Sequence, residues 1–142
     1  MKISVKKGMP GKLDKLCRKI VKDRANWTCQ KCSHEFPEEY NAKGDRIAVG
    51  LDWSHFKGCR LYATRWDLCN SLALCRKCHT HHGHTSWMEF KIRQEFGEYE
   101  CNRVIALHNN PPKWHKYMFD EKLEELMSYR VSGWRGYGNI FM

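Results

Sequence analysis

The chain has 142 residues, of which 42% are hydrophobic and 13% aromatic. This is enough for one modest core, and it excludes a multidomain protein and a disordered tail. No apolar run approaches the roughly 20 residues of a membrane span, and the basic start has no apolar block behind it, so we expect no membrane contact, no secretory signal and a cytoplasmic location. The 25 Lys and Arg against 16 Asp and Glu give a net charge of +9, which favours nucleic acid as the partner over a merely soluble basic protein.

The first predicted elements are a flexible basic arm and an amphipathic helix. The arm covers residues 1–11, which combine lysines with glycine and proline. From Lys12 to Arg24 the apolar residues recur at the spacing of one helix face, which predicts a helix. The opposite face is basic and fits either phosphate contacts or an ordinary solvated surface; it carries Lys15, Arg18, Lys19 and Lys22.

Two short strands and two CxxC motifs fill the middle of the chain. A tight turn over residues 26–33 holds the first CxxC and is followed by a polar loop. Residues 47–54 have strand composition and end at His55. After a basic, aromatic loop that reaches Asn70, residues 71–74 predict a second strand that runs into the second CxxC, and a helix turn from His79 is interrupted near Gly83.

Helices are predicted for the rest of the chain. Ser86 opens a capping-box pattern and a helix through Phe96, and the chain is expected to stay helical to about His108. Residues 119–129 predict a last helix, which is either a homodimer interface or a cap on the core, and the final tail has no assignment. The predicted organisation is therefore the arm, one domain over residues 12–108, and a helical extension and tail over residues 109–142.

Cysteine spacing predicts a structural zinc site. In a secreted chain the eight cysteines would suggest disulfides, but without an export signal the two close pairs predict four thiolate ligands on one tetrahedral ion. Such an ion can add roughly 10 kcal/mol to folding, so a small core is sufficient. The predicted ligands are Cys29, Cys32, Cys75 and Cys78. Cys17 and Cys101 fit apolar helix faces, and Cys59 and Cys69 are unassigned.

Between the two pairs lie residues that a plain zinc knuckle does not need. His55 ends the first strand, Asn70 precedes the second, and His79 follows Cys78 directly in the segment NSLALCRKCH. This order resembles the HNH endonucleases of the His-Me finger group, and the stretch from Leu13 through about Arg103 is similar to the NinG/Rap-type phage recombination nucleases. The resemblance implies an α+β fold with a small zinc-stabilised ββα-metal core and flanking helices at both ends.

The resemblance also implies a role for each of these residues. His55 would be the general base that takes a proton from the attacking water, and His79 would hold one divalent ion, Mg²⁺ or Mn²⁺. Asn70 would brace the hairpin and so orient the base.

The chain departs from the family pattern at two ligand positions. Many family members have a metal ligand directly before the base, where this chain has Ser54; Asp52, on the same strand face, is expected to supply it. The usual second helix ligand falls at Gly83. We expect His82 to substitute, with His84 as the alternative, unless the ion has only His79 with water and phosphate.

Basic residues around this site are expected to contact DNA. They are Lys57, Arg60, Arg65, Arg76 and Lys77. Tyr62 and Trp66 would stack on unpaired bases or else belong to the core, and Trp66 fits the core better.

The expected function is hydrolysis of double-stranded or branched DNA, such as the four-way Holliday junctions of recombination, in the cytoplasm of the host cell if the chain is phage-encoded. By resemblance the products carry 5′-phosphate and 3′-hydroxyl ends. The alternatives are an HNH nicking enzyme that assists phage packaging and a non-catalytic zinc-knuckle DNA-binding protein. The latter would have no use for His55, Asn70 and His79 at this spacing.

Overall fold

The computed structural model describes the backbone of residues 8–83 and 85–140 and the side chains of residues 8–83 and 85–129. In this part of the chain, helices are combined with short antiparallel strands, as an α+β fold predicts. None of the described helices has the length and apolar character needed to cross a membrane. The first seven positions of the predicted arm lie outside the described residues.

The first helix, α1 (Gly8–Arg24), begins before the predicted start at Lys12. The prediction of a flexible arm is therefore wrong for residues 8–11, which form the first turn. Pro10 is tolerated there because the first amide groups of a helix have no partner within the helix. The predicted apolar stripe is confirmed, and its buried members are Leu13, Leu16, Cys17, Ile20 and Val21.

Two antiparallel ribbons follow α1. In the first, β1 (Glu39–Tyr40) pairs with β2 (Arg46–Ile47), so the predicted polar loop contains a short strand. The second pairs β3 (Leu51–His55) with β4 (Ser71–Cys75). The strand predicted over residues 47–54 is thus divided between the two ribbons. The break falls at a turn ending in Gly50, whose φ of 94° is accessible mainly to glycine.

The segment between β3 and β4 was expected to be a loop and is partly helical. It contains the short helix α2 (Tyr62–Arg65) and one 3₁₀ turn (Leu68–Asn70). Trp66 lies between them and is completely buried, with the ring of Tyr62 stacked on it at a centroid distance of 4.8 Å. The core placement of Trp66 is therefore confirmed, and its ring is not available to bases.

Four helices complete the chain: α3 (Arg76–His82), α4 (Ser86–Phe96), α5 (Glu98–Asn109) and α6 (Lys116–Ile140). The predicted helix from Ser86 is confirmed, but the capping box is wrong, because Thr85 occupies the cap position and no side chain caps the helix. α6 extends beyond the predicted residues 119–129 at both ends. It packs against α1 with Leu126 completely buried, so its inner face caps the core.

Two hydrophobic clusters lie on either side of β4. The α1 core joins the buried face of α1 to Trp66, Ala73 and Leu126. The knuckle core joins β4 to α4 and α5, and its buried members include Cys29, Leu72, Leu74, Cys78, Met88, Ile92, Cys101 and Val104. Successive side chains of a strand point to opposite faces, which is why Ala73 belongs to one core and its two neighbours to the other.

Candidate metal centre and adjoining cleft

The four predicted cysteine ligands lie together. The sulfur atoms of Cys29, Cys32, Cys75 and Cys78 are all within 4.8 Å of one another, and those of Cys32 and Cys75 are 3.8 Å apart. A tetrahedral ion with Zn–S bonds of about 2.3 Å requires sulfur atoms about 3.8 Å apart. The prediction of a four-cysteine centre is therefore confirmed, and the centre can hold an ion such as zinc.

Backbone groups prepare this centre for an ion. Burial raises the pKa of the Cys29 thiol, but backbone N–H groups of Cys75, Cys32 and Lys31 outweigh it and lower that pKa to about 7. Cys75 occupies the cap position of α3, where its sulfur accepts a hydrogen bond from the backbone N–H of Cys78 at 3.5 Å. Main-chain donors thus favour the thiolate form of Cys29, whereas burial and hydrogen bonds with the neighbouring cysteine sulfurs raise the pKa of Cys78 to about 12.

The first CxxC motif is also attached directly to β4. The backbone N–H of Gln30 donates to the Ala73 carbonyl at 2.8 Å, and the Gln30 side-chain oxygen accepts from the Ala73 N–H at 2.9 Å. The two halves of the metal centre are therefore joined by hydrogen bonds as well as by any bound ion.

Four predicted site residues line one cleft of about 430 Å³. These residues are Asp52, His55, Arg65 and His79. His79 Nδ1 lies 3.0 Å from Asp52 Oδ2, and the guanidinium of Arg76 lies 3.0 Å from Asp52 Oδ1. Burial raises the pKa of Asp52, but hydrogen bonds from Arg76 and His79 outweigh it, so the net pKa is lowered and Asp52 is ionised at neutral pH.

His55 is a buried, neutral histidine. Its Nε2 lies 2.9 Å from the backbone carbonyl of Arg65. Because a carbonyl oxygen only accepts hydrogen bonds, Nε2 must carry the proton, and Nδ1 is left with a free lone pair. Burial lowers the pKa of His55 to about 4 against the opposing effect of the Arg65 carbonyl. The ring therefore stays neutral at physiological pH.

Asn70 fixes the chain that follows His55. Its side-chain oxygen accepts from the backbone N–H of Lys57 at 2.8 Å, and its amide donates to the carbonyls of Lys57 and Thr64 at 3.0 and 2.8 Å. The residue is completely buried and is not part of the cleft lining. Asn70 thus links the end of β3 to α2, the helix that supplies the carbonyl contacting His55.

Arg65, which was predicted to contact DNA, lines the cleft, but its guanidinium is bonded within the protein. Its guanidinium is buried and donates to both carboxylate oxygens of Asp14, at 2.8 Å each, and to the Cys59 carbonyl at 2.8 Å. The Trp66 indole N–H donates to the same carboxylate at 2.7 Å. A buried charge requires such partners, so the guanidinium belongs to the interior of the protein.

Asp14 is the important residue that the sequence pattern missed. A signal was present, because Asp14 lies three residues before Cys17 and seven before Val21 and therefore falls on the buried stripe of α1. An acidic residue at such a position implies a buried cationic partner. The sequence gives no indication that this partner is Arg65, which lies 51 residues away.

His82 contradicts its prediction as a ligand beside His79. Its ring lies next to those of His81 and Trp87, at centroid distances of 6.3 and 6.2 Å, and does not line the cleft. Within residues 8–83 and 85–129, the four cysteines are the one group of three or more ligating side chains close enough to share an ion. The alternative ligand His84 lies outside the described residues.

Gly83 is packed directly against His79. A Cβ atom at position 83 would lie 2.6 Å from the His79 carbonyl oxygen and 2.8 Å from its ring atom Cδ2. Both distances are shorter than a van der Waals contact, so any side chain here would displace His79.

The other predicted DNA contacts remain on the surface. Arg60, Arg76 and Lys77 are exposed, and Lys57 is half-buried. Arg18 of α1 also lines the cleft, which the sequence pattern did not indicate. This proximity arises from packing between α1 and the β3–β4 ribbon, so only the folded chain reveals it.

Comparison with known proteins identifies no relative. No protein-family model, curated protein or solved structure matches the chain. The functional argument therefore depends on the geometry of the cleft and of the cysteine centre.

Proposed function

We propose that the chain is a metal-dependent HNH-type endonuclease that hydrolyses phosphodiester bonds in DNA. The observation that carries the proposal is that Asp52, His55 and His79 line one cleft beside the four-cysteine centre. A neutral imidazole and a carboxylate–imidazole pair correspond to the two requirements of the reaction, a proton acceptor and a site for a cation.

Asp52 and His79 would hold the catalytic ion. His79 Nδ1 and Asp52 Oδ2 are 3.0 Å apart in a hydrogen bond, and an ion held by these two atoms would take the place of the Nδ1 proton. One carboxylate and one imidazole suit Mn²⁺ as well as Mg²⁺. When bound, the ion supplies Lewis-acid stabilisation of the charge that grows on the phosphoryl and leaving oxygens. Arg76 now pairs with Asp52, and its side chain, 70% exposed, is free to turn toward a phosphate.

His55 would accept the proton of the attacking water at Nδ1. Its low pKa keeps it available as a base but makes it a weak one. A bound phosphodiester brings negative charge into the cleft and so raises the proton affinity of the ring. The hydrogen bond from Nε2 to the Arg65 carbonyl strengthens as the imidazolium forms.

The residues around His55 would hold the ring in position. The Arg65 carbonyl is fixed from one side by the Arg65–Asp14 ion pair and from the other by Asn70, which binds the adjacent carbonyl of Thr64. Asn70 is therefore a positioning residue, and its removal should misplace the base.

A cleavage assay tests the proposal. Purified zinc-loaded protein is incubated with linear, nicked, flap and four-way DNA with no added divalent ion, with Mg²⁺ or with Mn²⁺. Cleavage is expected only with divalent ions, and His55→Ala should lower the rate about 10²- to 10⁴-fold while DNA binding and zinc content persist. His115→Ala removes an exposed histidine outside the cleft and is the matched control. Wild-type cleavage by His55→Ala would contradict the assigned base.

A non-catalytic zinc-knuckle DNA-binding protein is the second candidate. The ion pair between Asp52 and Arg76 favours it, because the carboxylate already has a cationic partner. This candidate predicts DNA binding without an added divalent ion and no cleavage with any ion. A nicking enzyme is distinguished in the same assay by closed circular DNA, which it would convert to the open circle without linear product.

A further inference from the structure

A second groove lies beside the candidate cleft, between α1 and the β1–β2 ribbon. Its volume is about 290 Å³. Five cationic side chains and one carboxylate line it, namely Lys15, Arg18, Lys19, Lys22, Arg46 and Asp45. Arg18 lines both the groove and the cleft, so the two depressions share a wall.

We propose that this groove binds the sugar–phosphate backbone of a DNA strand next to the phosphate that is hydrolysed in the cleft. The inference rests on the proposed nuclease function and specifies the path of its substrate. It chooses phosphate contacts over a merely solvated surface for the basic face of α1, and it adds the β1–β2 ribbon to the proposed DNA-binding surface.

The positive charge of the groove is only partly neutralised within the protein. Asp45 lies 3.5 Å from the Lys15 ammonium, and Asp23 lies 3.5 Å from that of Lys19. Ion pairs this exposed contribute little, so a phosphate can replace either carboxylate. Burial and the neighbouring charges of Arg18 and Arg76 lower the pKa of Lys22. The charge of Asp52 acts in the opposite direction. An arriving anion would relieve this repulsion.

The shape of the groove favours backbone recognition over base reading. One wall is apolar and carries Ile47, Ala48 and Val49, of which Val49 is 85% exposed. Trp27, the aromatic residue in the lining, is buried, and the guanidinium of Arg46 covers its ring at 4.7 Å. It therefore offers no free face for stacking. Cations for phosphates and an apolar wall for sugars predict salt-dependent binding with little sequence preference.

A charge-matched pair of triple variants tests the groove. The groove variant is Lys15→Gln/Lys19→Gln/Lys22→Gln, whose positions line the groove and not the cleft. The control is Lys12→Gln/Lys113→Gln/Lys116→Gln, which removes the same charge from exposed positions outside both. Glutamine has nearly the helix propensity of lysine, and thermal unfolding with zinc content verifies that both variants fold.

Affinity is measured for a linear DNA duplex with no added divalent ion over a range of salt concentrations, so that the four-cysteine centre keeps its metal and cleavage plays no part. We expect the groove variant to bind about 10- to 100-fold more weakly than the control and the slope of log affinity against log salt to fall by about two to three. Equal affinity of the two variants, no binding by the wild type, or preference for duplex RNA over DNA would overturn the proposal.

The cleavage assay answers a separate question. A selective loss of binding in the groove variant supports DNA binding in the groove, whether or not any DNA is cut. If the wild type cuts DNA and the groove variant binds as well as the control, the nuclease proposal stands and the groove proposal is refuted.

Discussion

On one side of β4, the α1 core closes on hydrocarbon side chains, aromatic rings and the Asp14–Arg65 ion pair. On the other side, the knuckle core ends at four sulfur atoms that can bind an ion. The first core is closed by the protein's own side chains, whereas the second ends at a centre that can hold an ion. The same β-ribbon therefore depends on two different kinds of chemistry.

The residues of the candidate site are also held by these two different cores. His55 is held by the carbonyl of Arg65, whose side chain is anchored in the α1 region by Asp14. His79 follows Cys78 directly and so depends on the knuckle. The proposed proton acceptor and the proposed ion-binding histidine thus depend on different cores, and each can be perturbed separately.

Removing the metal should have the largest effect. Cys75→Ser, or a strong chelator, is expected to reduce the free energy of unfolding by an amount on the order of 10 kcal/mol, because metal binding of this kind is coupled to folding. Since small domains are stable by only about 5–15 kcal/mol, the protein should unfold wholly or in large part. Zinc content and the circular dichroism transition are the measurements.

Cys59→Ser is the control for this experiment. Cys59 is half-buried and lies outside the four-cysteine centre. A thermal transition that is unchanged by chelator and by Cys75→Ser would show that the knuckle core is stable without an ion.

Breaking the ion pair should have the next largest effect. Asp14→Asn leaves the guanidinium of Arg65 buried without its charged partner, which is expected to cost about 3–5 kcal/mol in urea unfolding while zinc content persists in the folded fraction. Asp45→Asn removes an exposed partner of Lys15 and should cost less than about 1 kcal/mol. Equal losses in the two variants would refute the special role of the buried pair.

Acid should weaken the protein through His55. The folded-state pKa of about 4 lies below the value of about 6.5 in an unfolded chain, so the unfolded state binds more protons between these values. Stability supplied by the neutral ring is therefore complete above pH 6.5 and declines as the pH falls toward 4, by about 3 kcal/mol at most.

The difference between wild type and His55→Asn isolates this effect, because both proteins share every other titrating group. Urea unfolding at pH 7, 6 and 5 should show the wild type losing more stability than the variant. Parallel curves would mean that His55 is not a buried neutral ring. His115→Asn, at an exposed position, should follow the wild type.

Sequence reasoning succeeds here where the signal is local. The spacing of the four cysteines predicts the metal centre, and the apolar periodicity of α1 predicts that helix. It fails where partners are distant or where one residue changes the backbone. Arg65 resembles a surface cation until the fold brings Asp14 to it, and a turn at Gly50 divides a predicted strand.

The candidate cleft could be predicted from the sequence only in part. The sequence names Asp52, His55 and His79, but the ligand expected from His82 is directed elsewhere because that ring packs beside Trp87. The basic face of α1 is visible in the sequence, while its position next to the cleft is a result of tertiary packing.

The close packing of Gly83 on His79 has a consequence for how an ion would be held. Position 83 has no space for a ligating side chain, so among the described residues a divalent ion bound to Asp52 and His79 would have two protein ligands. Most of its hydration shell would then remain exchangeable, and the incoming phosphate oxygens would occupy places vacated by water. Occupancy of such a two-ligand site would then depend on the free concentration of the cation in the surrounding solution.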